Sequence, residues 1–281
     1  MELSLPDIGV VNKVEGFEKV YALNGFEKNR DLLNMRLYKY RKIEDFEASV
    51  KSKELVFVSP VLWKDRYERR FLFTDYSKCN FVQNKIRCMC FTTEGAVNEE
   101  AGWKCYSDDK NEKCVRLTFK VDKLLHALDK YAIENQAKIY IGEAIYGLDV
   151  NEIYSVHKSD SRYNSIFFPK NFNVSNYLSL MLLKRKAFAY ENEIRIFIYH
   201  EKENFSEEEK KFVDKDNSAD KAFLLDKVTV DYKSILSEVR LSPNIESNTE
   251  LEEIKNKLSK IFKGTINASR LYSSGWQLKK I

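Results

Sequence analysis

Two glutamates and an arginine fall at every second position in Glu191, Glu193 and Arg195, and they alternate with Asn192, Ile194, Ile196 and Ile198. Strand side chains point to opposite faces with a period of two. The spacing predicts one strand with both carboxylates and the guanidinium on one face and the isoleucines on the other. Two acids side by side repel each other unless something pairs with them or uses them. A carboxylate can stabilise positive charge that develops in a transition state. Its neighbour can take the proton of an attacking group. The plainer reading of this spacing is a solvated strand face with an internal ion pair worth under ~1 kcal/mol.

Other residues offer complementary chemistry. Arg36, Tyr38 and Tyr40 alternate with Leu37, Lys39 and Arg41 on an expected strand over 36–41. Arg36 or Lys39 suits an anion, as a forked or point-charge donor. Tyr38, Tyr40, Trp103 and Tyr106 carry rings able to stack on a base, and the last two also suit a core. Thr92 and Thr93 close an apolar run with two hydroxyls. Asp65 and Glu68 read as loop acids that cap a turn. Folded beside Glu191 and Glu193, they would instead form an oxygen set suited to Mg²⁺. The basic run Lys184, Arg185, Lys186 suits a phosphate or, more simply, a solvated face. The histidines, His126, His157 and His200, are scattered, and none is assigned catalysis.

These residues need a scaffold, and the periodicity predicts one. Expected strands cover 54–58, 87–91, 114–119, 139–146, 235–241 and 266–271, besides the two above. Expected helices cover 43–52, 122–135, 175–185 and 248–262, the last capped by Asn248 or Thr249, and a further helix starts at Asn98. A short helix fits within 20–33. Strands outnumber helices without regular alternation, which predicts an α+β domain on a mainly antiparallel or mixed, and in places split, β-sheet with flanking helices. Residues 1–34 read as an N-terminal extension packed on a single domain spanning 35–281, with a charged surface insertion near 201–220. No glycine-rich phosphate loop is present.

The composition narrows the class. The 281 residues include 43% hydrophobic and 13% aromatic positions, enough for a sizeable core. The 47 basic and 43 acidic residues nearly cancel at +4, whereas a dedicated duplex-DNA binder carries a stronger basic bias. Cys79, Cys88, Cys90, Cys105 and Cys114 form no C-x-x-C pair, so reduced thiols are expected and a metal site is not. The first residues lack a basic segment followed by an apolar run, so no secretory signal is expected. No run reaches the roughly 18 apolar residues that span a bilayer. A cytoplasmic protein without a membrane partner is expected.

Several fragments also stand in a familiar order. They are 37–41; Phe57 to Pro60 with Trp63, Asp65 and Glu68; Cys90 to Thr92; Trp103 to Tyr106 and the strand after it; Lys184, Phe188, Tyr190, Glu191, Glu193 and Arg195; and Glu238 to Pro243. This series resembles the bacterial family catalogued as domain of unknown function 2971, from about residue 36 to about 272. The chain departs from the family pattern at Lys64, Arg66 and Tyr67, where Asn, Pro and Phe are usual. It departs again at Thr92, Phe188 and Ser242, which stand for Ser, Trp and Gly. A looser resemblance is to ADP-ribosyltransferases, whose split antiparallel sheets grip NAD through a basic first strand, a hydroxyl on a middle strand and a Glu-x-Glu on a later one. Arg36 to Tyr40, Thr92 and Thr93, and Glu191 to Glu193 occur in that order.

What this second resemblance implies is a nucleotide-directed enzyme, an ADP-ribosyltransferase or NAD glycohydrolase, in phage defence or as a toxin. NAD is then the substrate, and a protein or nucleic acid is the acceptor. Glu193 and Glu191 are the implied catalytic pair, and Arg36, Tyr38, Lys39, Thr92, Trp103 and Tyr106 the implied nucleotide-binding set. The alternatives are a non-catalytic nucleic-acid- or protein-binding module and an Mg-dependent nuclease.

Overall fold

The computed structural model describes residues 9–26, 31–63, 65, 68, 85–93, 102–103, 113–147, 173–201, 224–243, 245 and 247–269. The expected site residue Tyr106, most of the helix from Asn98 and all but Glu201 of the expected insertion near 201–220 lie outside them.

The alternating apolar runs form strands, and these make an α+β fold on one mixed sheet. In chain order the strands are β1 (Val11–Lys13), β2 (Val20–Leu23), β3 (Arg36–Lys42), β4 (Glu54–Val58), β5 (Ile86–Thr93), β6 (Cys114–Lys120) and β7 (Ala137–Glu143). There follow β8 (Ile145–Tyr146), β9 (Leu183–Lys184), β10 (Glu193–His200), β11 (Leu225–Thr229), β12 (Leu236–Leu241) and β13 (Ile266–Ala268). Among the described residues the main sheet runs β1-β2-β7-β10-β5-β3-β6-β12-β13, with β4 and β11 branching from β5 and β8 pairing with β9 apart. Most neighbours are antiparallel, while β2–β7, β12–β13 and the separate β8–β9 pair are parallel. The helices are α1 (Ile43–Ser52), α2 (Val121–Glu134), α3 (Val174–Leu180), α4 (Tyr232–Ile235) and α5 (Asn248–Ile261). None is long and apolar enough to cross a membrane.

The sheet splits at β5. It pairs with β3 only at Leu37↔Thr93 and Tyr38↔Thr92, and with β4 only at Val58↔Cys88. Between these contacts no strand among the described residues pairs with Cys90 on that side. The Lys39 ammonium fills the gap and donates to the Cys90 carbonyl at 2.9 Å. Burial of this ammonium pushes the Lys39 pKa down, and the neighbouring Arg41 adds to the effect.

Both faces of the sheet are covered near β10. On one face Ile194, Ile196 and Ile198 join Leu37, Phe91 and Phe119 in the main core, beneath Leu124, Leu125 and Leu128 of α2. Each buried isoleucine contributes roughly 1.5–3 kcal/mol. On the other face Phe197 and Cys88 pack beneath Tyr177, Leu178 and Leu180 of α3, with Met181 to Leu183 following. A strand buried on both faces can place charged residues inside the protein, and β10 does so.

Several local expectations shift for physical reasons. The predicted 139–146 strand breaks at Ala144, whose N–H bonds the Glu193 carbonyl, and its end turns into β8 to pair with β9. The helix predicted over 175–185 stops at Leu180, which frees Leu183 and Lys184 to form β9. Within 20–33, where a short helix is expected, Val20–Leu23 is instead strand β2 paired with β7, and the helical part is a 3-10 turn, Leu32–Asn34. Ser247, rather than Asn248 or Thr249, caps α5 by accepting from Glu250 N–H at 3.0 Å.

Gly142 sets how closely the α3 layer lies on the sheet. It is opposite Arg195 in the ladder, and a Cβ there would meet Leu182 Cδ1 at 2.6 Å and Leu23 Cβ at 3.1 Å. Gly142→Val is expected to lower stability by about 1–3 kcal/mol through overpacking, read as a drop in the urea midpoint.

Candidate active site

The acids predicted to share one strand face do converge, but by a different route. Residues 186–191 form a 3-10 turn, and Asn192 adopts a left-handed conformation (φ 39°) before β10 begins at Glu193. Asparagine tolerates this region better than most residues. The kink lifts Glu191 off the strand and returns its carboxylate to the Glu193 side. There the Lys184 ammonium, delivered by β9, donates to Glu191 Oε2 at 2.7 Å and also to Glu193 Oε2.

Arg195 completes the cluster. Its Nε bonds Glu193 Oε1 at 3.0 Å and its Nη2 bonds Glu193 Oε2 at 3.1 Å. The same Nη2 reaches Glu68 Oε2 at 2.5 Å, and Nη1 donates to the Met181 carbonyl. The guanidinium carbon lies 4.5 Å from the Trp63 ring centroid. Lys184 also stands 3.6 Å from Glu68 Oε1. Three carboxylates therefore share two cations. Glu193 is 2% exposed and Arg195 1%, so the solvated-face reading does not hold. Unpaired charges at such depth would cost several kcal/mol each.

The two predicted acids differ in environment. Burial works against a charge on Glu193, but Arg195 and then Lys184 outweigh it and hold the carboxyl at about 2. Glu191 is half-buried at the rim, and burial pushes its pKa up against the pull of Lys184, with Glu193 and Glu68 adding like charge. Burial also works against the Lys184 charge, yet Glu193 and Glu68 raise its pKa and keep it protonated. The site pairs an acid beneath that stays ionised to low pH with a more readily protonated acid above.

The register places further predicted residues on this face. Glu193 lies opposite Thr92, and Thr92 opposite Tyr38. Thr92 Oγ1 donates to the Glu191 carbonyl, which ties the 3-10 turn to the middle strand. Trp103 is buried and meets Tyr40 edge-on at 4.9 Å. Arg36 is exposed, and its guanidinium contacts the adjacent Met35 carbonyl at 3.4 Å. Strand alternation puts Lys39 on the opposite face from Tyr38, and its ammonium serves the sheet split. Asp65 lies outside the charge cluster and pairs with Arg185 at 2.6 Å.

Lys184 and Glu68 are central here. The spacing reasoning left Lys184 in a generic basic run and read Glu68 either as a turn cap or, folded beside Glu191 and Glu193, as part of an Mg²⁺ set. The structure does bring Glu68 beside them, around two cations. The signal that could have found them is their place in the ordered fragments that carry the family resemblance. No group of His, Cys, Asp or Glu among the described residues is arranged to hold a metal ion. The Lys184 ammonium, rather than an open donor set, stands among the three glutamates.

Comparison with known proteins follows the same outline. The model of a family described as "Protein of unknown function (DUF2971)" matches residues 103–196. That stretch, roughly a third of the chain, contains Lys184, Glu191, Glu193 and Arg195. No curated protein matches. Among solved structures, DarT from Thermus sp. 2.9 in complex with NAD+ aligns with a TM-score of 0.32 and 6% identity, covering 84% of this chain and 96% of that one. The same protein in complex with ADP-ribosylated ssDNA aligns with a TM-score of 0.32 and 7% identity, covering 84% and 95%. An overlap that low carries no conclusion about this chain's activity.

Two outcomes follow from the buried charges. Arg195→Met removes one partner of a buried network and is expected to cost about 3–5 kcal/mol, read by denaturant unfolding. Glu193 has a folded pKa depressed from 4.5 to about 2, so its pairing stabilises the fold above 4.5 and is lost as pH falls toward 2. Glu191, with a raised pKa, has the opposite sign and favours the fold when protonated. The stability gap between wild type and Glu193→Gln should be widest near pH 7 and shrink as pH falls from 4.5 to 2. A gap constant with pH would contradict the pairing.

Proposed function

We propose that this protein is a nucleotide-directed enzyme that breaks the glycosidic bond of NAD, as an ADP-ribosyltransferase or NAD glycohydrolase. The observation that carries this reading is the meeting of Glu191 and Glu193 on one ammonium, in register with Thr92 and Tyr38 on the same sheet face. Breaking that bond builds positive charge on the ribose. A site that already holds an ammonium among three carboxylates is organised to stabilise positive charge, and its dipoles are fixed before the reaction begins.

In this reading the ionised Glu193 supplies the fixed negative charge beneath the ribose. Glu191, at the rim and easier to protonate, takes the proton from the attacking water or acceptor hydroxyl. Lys184 and Arg195 are positioning residues that hold both carboxylates in place. Thr92 fixes the turn that carries Glu191, and Tyr38 offers a ring to the substrate. The acceptor is a macromolecule for a transferase and water for a glycohydrolase. A role in phage defence or as a toxin fits an activity that depletes NAD or marks a target.

The test is NAD consumption by the purified protein, followed as released nicotinamide. Glu193→Gln and Glu191→Gln keep size and remove charge, and each is expected to lower turnover by about 10²-fold or more. Full activity in both variants would sink the assignment.

A further inference from the structure

The register that joins Glu193 to Tyr38 continues beyond it. Tyr38 is opposite Thr118 on β6, and Thr118 is opposite Glu238 on β12. Glu193, Thr92, Tyr38, Thr118 and Glu238 thus form one row across five strands, all on the same face. Four steps of about 4.8 Å make the row roughly 19 Å long. A carboxylate stands at each end, and each belongs to the same local pattern: Glu193 pairs with Arg195, and Glu238 with Arg240, two residues on.

The far end is built for a polar ligand. Arg240 Nη2 holds Glu238 at 3.0 Å from Oε1 and 3.1 Å from Oε2, and Asn267 donates to Oε1 at 2.7 Å. A carboxylate oxygen accepts about two hydrogen bonds, so Oε2 keeps capacity for another donor. The Arg116 guanidinium carbon lies 4.8 Å from the Tyr38 ring centroid and its Nη2 3.9 Å from Glu238 Oε2, which places a guanidinium midway along the row. Thr118, 5% exposed, has a buried hydroxyl with no hydrogen-bond partner among the described residues. An unsatisfied buried hydroxyl costs roughly 1–3 kcal/mol, so it marks a place where an incoming polar group gains most.

We infer that Arg116, Thr118 and Glu238 form a second subsite, which takes the nucleoside-diphosphate half of the dinucleotide. Arg116 holds the phosphates in a forked geometry. Glu238 Oε2 and the Thr118 hydroxyl receive the ribose hydroxyls, and the Tyr40–Trp103 ring pair borders the phosphate position. The nicotinamide ribose then lies at the Glu191–Glu193 end, with the dinucleotide stretched along the row. This inference rests on the NAD reading for its orientation, while the subsite itself binds ADP whether or not NAD is cleaved.

The experiment is titration of the full chain with ADP and with inorganic pyrophosphate, alongside NAD turnover. Arg116→Gln is expected to weaken both ligands about tenfold, and Glu238→Gln and Thr118→Val to weaken ADP about tenfold while sparing pyrophosphate, a tenfold change being ~1.4 kcal/mol. Glu191→Gln should leave ADP binding unchanged. Thr118→Val should melt no lower than wild type, because it removes an unsatisfied hydroxyl. ADP binding that ignores all three subsite variants, or pyrophosphate binding as tight as ADP, overturns the subsite. If ADP binds as expected but NAD is not consumed, the subsite stands and the proposed reaction falls.

Discussion

Everything at the centre of this protein depends on how three clustered carboxylates, two of them buried and one at the rim, are neutralised. Glu68 comes from a distant stretch of chain and Glu191 and Glu193 from a single one, and all three are held together by one ammonium and one guanidinium. Such a cluster is stable only if the geometry satisfies nearly every donor and acceptor, because the desolvation cost of each charge is large. The fold meets that requirement with devices that have no other evident purpose. Asn192 bends the chain so that Glu191 returns to the cluster. Leu180 ends a helix so that β9 can carry Lys184. Gly142 admits the layer whose Met181 carbonyl caps Arg195.

The split at β5 gives this arrangement its shape. On the β7–β10–β5 side the outer face lies under α3 and its following segment, so charges placed there are dry and tightly held. On the β3–β6–β12 side the same face keeps Tyr38, Tyr40, Arg116, Glu238 and Arg240 only partly buried. The charge cluster stands where the covered half meets the more exposed half. A group there is shielded enough to have its charge state set by its neighbours and near enough to the surface to meet a ligand. Glu191 occupies that border, and its raised pKa reflects it.

A recurrence across the sheet connects the two halves. Glu193-Ile194-Arg195 and Glu238-Val239-Arg240 put an acid and an arginine on one strand face, with an apolar residue turned to the core between them. In both, the arginine fixes the acid's orientation, and a second cation approaches from elsewhere: Lys184 at one end, Arg116 at the other. Burial differs, however, since Glu193 is enclosed while Glu238 remains half-buried. The same local chemistry therefore yields a locked charge in one place and an available acceptor in the other.

Local pattern was enough to locate most elements, because hydrophobic alternation and helical periodicity are properties of short segments. The strand at Arg36, the helix at Ile43 and the three isoleucines buried from β10 were legible for that reason, as was the α+β class. The sequence also marked Glu191, Glu193 and Arg195 as an unusual concentration of charge. It did not show that Glu191 stands on a turn, because a left-handed asparagine leaves the alternation intact. Nor did it show that Lys39 would serve a gap in the sheet, that Lys184 would sit among three acids, or that Thr92, Tyr38, Thr118 and Glu238 would fall into one row. Those facts depend on strand order and register between segments distant in the chain. The residue types determined which charges had to be paired, and only the tertiary structure decided with what, because pairing across strands is set by long-range packing that no local spacing encodes.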